Sequence, residues 1–175
     1  MVNELIAYCG PAAVPEDVWL RWNTDPVLIA ALAALAYGVA RRATHKNAGW
    51  AAIALMAVVF ISPLCALSSA LFSVRVLHHV ILVSAAAPLL ALAFPQRRAG
   101  VVPLALLVAA HAVALWVWHA PGPYAWGLAT VPGYWLMQLT LLGSAWWMWR
   151  AILSDTPPNG SALVALAVTV GQMGL

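Results

Sequence analysis

The feature that most constrains this chain is a series of apolar stretches, roughly 15 to 21 residues each, separated by short segments that hold nearly all of the charge. A hydrocarbon core of about 30 Å takes about 20 residues of helix, or about 17 at the short end. Backbone polar groups in lipid must be satisfied within the spanning segment, so these runs read as helices and not as open sheet. Six candidates follow one another at 26–40, 48–65, 74–94, 101–119, 131–149 and 161–175. Residues 1–25 form an outer N-terminal segment ahead of them. The expected fold is all-α, a polytopic transmembrane helix bundle forming a single domain over residues 1–175. The sixth run would reach about 22 Å at 1.5 Å per residue. No polar or basic residue closes it, so the C-terminus is expected to be truncated. Only 7% of the residues are charged and 65% are hydrophobic, where a water-soluble domain carries about a quarter charged residues. Lipid is therefore the expected solvent for most of the surface.

Local signals agree with this division. Asp25-Pro26 is a helix start with Pro in the first turn. Pro95 ends the third run, Pro121, Pro123, Pro132 and Gly133 frame a loop between the fourth and fifth, and Pro157-Pro158-Asn159-Gly160 marks the turn before the sixth. Pro63 and Pro88 are expected to kink or end their helices. Of the eight basic residues, Arg41, Arg42, Lys46, Arg97, Arg98 and Arg150 follow the first, third and fifth runs, while Arg21 and Arg75 fall on the opposite side. Positive residues stay on the cytoplasmic side, so the N-terminus is placed outside. Trp19, Trp22, Trp116, Trp118, Trp126 and Trp135 then gather near the outer interface, and Trp146, Trp147 and Trp149 near the inner one, depths that amphipathic rings favour. The net charge of +3 is not a nucleic-acid signal, because no basic patch interleaved with aromatic residues is present.

Ionisable groups inside a membrane are costly, which makes each a functional candidate. The expected topology gathers His78, His79, His111, His119 and Cys65 toward the outer half, whereas His45 sits in a basic cytoplasmic loop. Imidazole suits copper, and thiolate favours copper(I). His79 is the leading candidate ligand. His78 is adjacent to it, about 100° away around the helix, and a compact site shared by both is not expected. His111 and His119 are eight residues apart, so a joint site needs a third partner. Each histidine also has a plainer reading, as an interhelical hydrogen-bonding group, and Cys65 has one as a small buried packing residue. Cys9 and Cys65 form no CxxC pair; both fall on the side where disulfides persist, but the sequence does not pair them. Arg75 reads as a side chain that snorkels to headgroups or meets an anionic group. Met137 and Gln138 read as packing and interhelical hydrogen bonding. No Ser/His/Asp arrangement, HExxH motif or Gly-rich phosphate loop is present, and the six runs contain no acidic residue.

Four stretches, in this order, resemble the CtaG family of cytochrome c oxidase assembly factors. They are Arg21-Trp22-Asn23-Thr24-Asp25-Pro26 with Ala36-Tyr37-Gly38; Ser62-Pro63-Leu64 with Leu71-Phe72-Ser73 and Leu77-His78-His79-Val80-Ile81-Leu82; Ala87-Pro88-Leu89-Leu90 with Pro95; and Trp118-His119-Ala120-Pro121 with Pro123-Tyr124. The resemblance implies seven helices in the complete fold, with Gly171-Gln172-Met173-Gly174 in the next-to-last. It also implies a non-enzymatic role in a bacterial inner (plasma) membrane, helping copper insertion into a haem-copper terminal oxidase, whose subunits would be the partners. The family pattern often has a histidine four residues before the position of His79; here that residue is Arg75, and His78 stands where glutamine is usual. An i, i+4 pair can chelate one metal, and this chain lacks that pair. His79 and His119 are the ligands that carry over. Two alternatives stand beside this reading. One is a membrane cytochrome in which His79 and His111 clamp a haem. The other is a metal-free scaffold whose histidines tie helices together.

Overall fold

The computed structural model describes residues 7–96 and 102–154, and these are all-helical, with no strand among them. The expected sixth run and the Gly171–Gly174 motif lie outside the described residues. A short 3₁₀ turn at Val18–Leu20 precedes eight α-helices: α1 (Pro26–Arg42), α2 (Lys46–Ile61), α3 (Leu64–Ala70), α4 (Phe72–Ile81), α5 (Ala87–Ala93), α6 (Leu104–His119), α7 (Pro121–Ala129) and α8 (Val131–Ile152). α4 and α5 run continuously through Leu82–Ala86, five residues wound as a π-helix.

The helix starts follow from capping chemistry. Asp25 accepts the backbone N–H of Val27 at 2.8 Å, with Pro26 in the first turn where no N–H is needed. Thr130 caps α8 in the same way, its hydroxyl accepting from the N–H of Gly133 at 3.1 Å. Pro63 separates α2 from α3, which bends away by 50°. The expected loop at Pro121–Ala129 is a helix, turned 75° from α6. Its two prolines both fall in the first turn, where the missing N–H groups lack intrahelical partners anyway.

Pro88 neither ends nor sharply breaks its helix. In the π segment the N–H of Ala87 bonds the carbonyl of Leu82. The next bond of that pattern would run from residue 88 to Val83, and proline has no N–H to give. The indole N–H of Trp149 on α8 donates to the Val83 carbonyl instead, at 2.9 Å. A residue expected at the inner interface thus repairs a backbone defect. Trp118 departs from the interfacial expectation too, since it is buried and its indole N–H donates to the hydroxyl of Thr140 at 2.8 Å.

α8 packs along α5, α6 and α7, while α2 packs against α1 and α5. The main core joins Leu28, Met56, Val59, Phe60, Leu82, Trp118, Tyr134, Met137 and Leu141. Outward from it, many large apolar side chains stay exposed, Trp19, Leu20, Val27, Tyr37 and Val113 among them. Phe72–Ala93, at 22 residues, is long and apolar enough to cross a membrane. The count rises to three if α2 with α3, and α6 with α7, each make one bent span.

Candidate functional site

The N-terminal segment folds back over one end of the helices. The N–H of Asn23 donates to the carbonyl of Ile61 at 2.8 Å, at the end of α2. Tyr8 stacks on Tyr134 at 4.6 Å between ring centroids and meets Trp135 edge-on at 5.1 Å. Its hydroxyl donates to the Asp25 carboxylate at 2.5 Å. Burial, then the hydrogen bond to Asp25, push the Tyr8 phenol above its ordinary range, and that bond, with the N–H of Val27, holds Asp25 below the usual carboxylate range. Cys9 is joined to Cys65, at the start of α3, by a disulfide with a Cα–Cα distance of 5.3 Å. The candidate ligand Cys65 therefore has no thiolate to offer in this state.

Beneath this cover lies a small cavity, lined by Tyr8, Cys9, Arg75, His78, His79 and Gln138 among others, with about 20 Å³ for a water-sized occupant. That is room for about one water molecule or a single ion. His78 is buried and meets the Phe60 ring edge-on at 5.0 Å. His79 is half-buried, and the two imidazole centroids are 5.9 Å apart. Adjacent residues diverge by about 100° on a helix, yet both line this one cavity. Both ring nitrogens of His78, Nε2 of His79 and Oε1 of Gln138 are buried without a hydrogen-bond partner. Leaving such groups unpaired costs on the order of 1–3 kcal/mol each, and the cavity that these residues line has room for a polar occupant to pair with them.

His119, exposed at the end of α6, lies within electrostatic reach of His79. Its Nδ1 is hydrogen-bonded to the carbonyl of Leu115 at 2.7 Å. A carbonyl only accepts, so Nδ1 carries the proton and the Nε2 lone pair of neutral His119 is free to bind. His79 and His119 thus each present an Nε2 suited to a ligand role. His111 is apart from them: fully buried, it does not line the cavity, and its Nδ1 is 2.9 Å from the hydroxyl of Ser144 on α8. Among the described residues no group of three or more His, Cys, Asp or Glu side chains is gathered tightly enough to hold a metal ion.

Arg75 does not extend away from the fold. Its guanidinium donates to the carbonyls of Ser68 at 2.6 Å and Ser69 at 3.5 Å, and to the hydroxyl of Tyr124, whose ring it covers at 5.4 Å. These carbonyls belong to the last turn of α3, where a helix exposes unpaired acceptors and favours a cation. Arg75 thus closes the α3–α4 corner against α7. Sequence reasoning missed this role, and it missed Tyr134 and Gln138 as neighbours of the histidines. No spacing signal could have found them, because they come from a helix more than fifty residues further on.

Comparison with protein-family models, curated proteins and solved structures finds no match for this chain.

Proposed function

We propose that this chain is a multi-pass membrane protein, N-terminus outside, that assists assembly of a haem-copper terminal oxidase by holding copper transiently between His79 of α4 and His119 at the outer end of α6. The observation that carries this reading is the pairing of His79 and His119. One Nε2 is buried without a partner, and the other is left free by a hydrogen bond at Nδ1. Imidazole nitrogens suit copper. Open, incomplete coordination suits cargo that must be passed on, whereas a closed four-ligand shell is a structural device. Membrane residence is supported by the 22-residue apolar span, the two bent pairs and the exposed apolar surface. The orientation rests on the distribution of Arg and Lys.

The test is oxidase copper content in cells that carry the His79→Ala, His119→Ala double variant in place of the wild type. Copper in the oxidase falls if the pair handles the metal. Normal oxidase copper, with the variant present in the membrane at wild-type level, would sink the reading.

A further inference from the structure

The histidine cavity has two kinds of wall. His78, His79 and Gln138 belong to α4 and α8, whereas Ala7, Tyr8 and Cys9 of the N-terminal segment complete the lining. These three residues are set on a chain built to turn and to move. Directly after Cys9 the N–H of Gly10 donates to the carbonyl of Ala7 at 2.8 Å. Gly10 has φ +84°, a left-handed conformation that glycine adopts without steric cost. Beyond it Pro11, Ala12, Val14, Pro15 and Glu16 are exposed. Asp17 ties this arm to itself, accepting the N–H of Val14 at 3.2 Å and pairing with Arg21 at 3.0 Å. The arm meets the helices again at Asn23, whose N–H donates to the Ile61 carbonyl.

We propose that Ala7–Cys9 is a redox-latched plug on the histidine cavity. While the Cys9–Cys65 disulfide is intact, the plug shuts small solutes out from His78 and His79; reduction lets it swing out about Gly10. The disulfide is its covalent hold on α3, and such a tether keeps the plug at high effective concentration over its seat. Tyr8 supplies a second hold, by its stack on Tyr134, its edge contact with Trp135 and its hydroxyl on Asp25. That hold is non-covalent, so without the disulfide the plug opens and closes in equilibrium. No core helix has to unfold for this. The latch can also be reached, since Cys65 is 1% exposed while Cys9 is partly exposed. Reduction takes place by exchange with a dithiol. A thiolate of the dithiol attacks the Cys9 sulfur, the S–S bond breaks, and its electron pair goes to Cys65. The second thiol of the reductant then attacks the mixed disulfide and releases Cys9. The dithiol ends as a disulfide and this chain as two thiols, with no net gain or loss of protons.

The experiment reads the access of diethyl pyrocarbonate, which acylates neutral imidazole, in the detergent-purified full chain. Three forms are compared: as isolated, reduced by a small dithiol that is then removed, and Cys9→Ser with Cys65→Ser. Fragment masses give the extent of reaction at each histidine. Exposed His119 serves as the reference for reagent, and His111, fully buried and away from the cavity, as the reference for unfolding. The expected result is no free thiol in the isolated protein, and a rate at His78 and His79, relative to His119, that rises about tenfold or more in the other two forms, with His111 unreactive throughout. Tyr8→Ala should raise the rate further in the reduced protein and leave it nearly unchanged in the oxidised one. Equal rates at His78 in all three forms would overturn the plug. So would free thiols in the isolated protein, or a rise at His111 that matches the rise at His78, which would make the disulfide a staple of the whole fold. The readout contains no copper, so the plug and the copper-handling reading stand or fall separately.

Discussion

The two ends of the helices are made of the same apolar material and are finished in opposite ways. Where α1 turns into α2 and α5 ends, small residues interlock. Gly49 of α2 faces Val39 of α1 so closely that a Cβ there would lie 2.7 Å from a Val39 methyl and 3.3 Å from the Cβ of Ala93. The N–H of Thr44 donates to the carbonyl of Ala93 at 2.8 Å, and Leu104, Leu107, Met148, Ala151 and Ile152 close the neighbouring corner. The opposite end holds a cavity, a disulfide and a group of buried nitrogens without partners. Unmade hydrogen bonds occur toward both ends, at Arg150 Nε and Trp146 Nε1 as well as at His78, His79 and Gln138; what sets the cavity end apart is that its unpaired atoms sit on residues lining one small space beside a disulfide.

The largest effect should come from breaking the close-packed end. Gly49→Leu forces a side chain into buried Val39, whose branched Cβ leaves it little freedom to move, and should destabilise by about 3 kcal/mol. A lowered thermal midpoint in detergent, with copper binding at the other end intact below that midpoint, is the expected outcome. A midpoint equal to wild type would mean that the Val39–Gly49–Ala93 contact is not close. Next comes the seam between the ends. Trp149→Phe keeps the ring but removes the N–H that serves the Val83 carbonyl, and should cost about 1–2 kcal/mol. No change would show that the carbonyl finds another donor. At the open end the sign reverses. His78→Leu replaces a buried imidazole lacking partners with an apolar side chain and should raise stability by about 1 kcal/mol; a lower midpoint would show that His78 is satisfied in the folded protein.

The smallest effect concerns the cover and pH. Asp25 is lowered from 3.8 in the folded protein, so its contribution is fully present above that pH and is lost as pH falls below it. Tyr8 is raised from 10.0, so its contribution is present below that pH and is lost as pH rises beyond it. Between these limits neither contribution changes. Tyr8→Phe should flatten both flanks of a plot of thermal midpoint against pH; flanks as steep as in the wild type would assign them to other groups.

Much of the helix order could be read from the amino-acid sequence, since it depends on local chemistry. The Asp25-Pro26 start and the break at Pro63 need only their own neighbours. The same local reading took Pro121 and Pro123 for loop residues, because punctuation does not tell whether a proline falls in a first turn or an interior one. Pro88 suggested a kink for a similar reason; its remedy comes from Trp149, 66 residues away from Val83. The histidines stood out in sequence as polar residues in apolar runs. What surrounds them did not, because Cys9, Arg75, Tyr134 and Gln138 converge only through the bends at both ends of α3 and the return of the N-terminal segment.

The stacking of Tyr8 on Tyr134 also sets a clock. Chains emerge from the ribosome N-terminus first, so the N-terminal segment is made before any helix it covers. Its resting place, the Tyr134 and Trp135 rings at the head of α8, comes into being only after α1 to α7 have been synthesised. Until then only contacts to the earlier helices, the Cys9–Cys65 disulfide and the Asn23 to Ile61 hydrogen bond, can hold the segment in place, and its aromatic seat is among the last parts of the described fold to be laid.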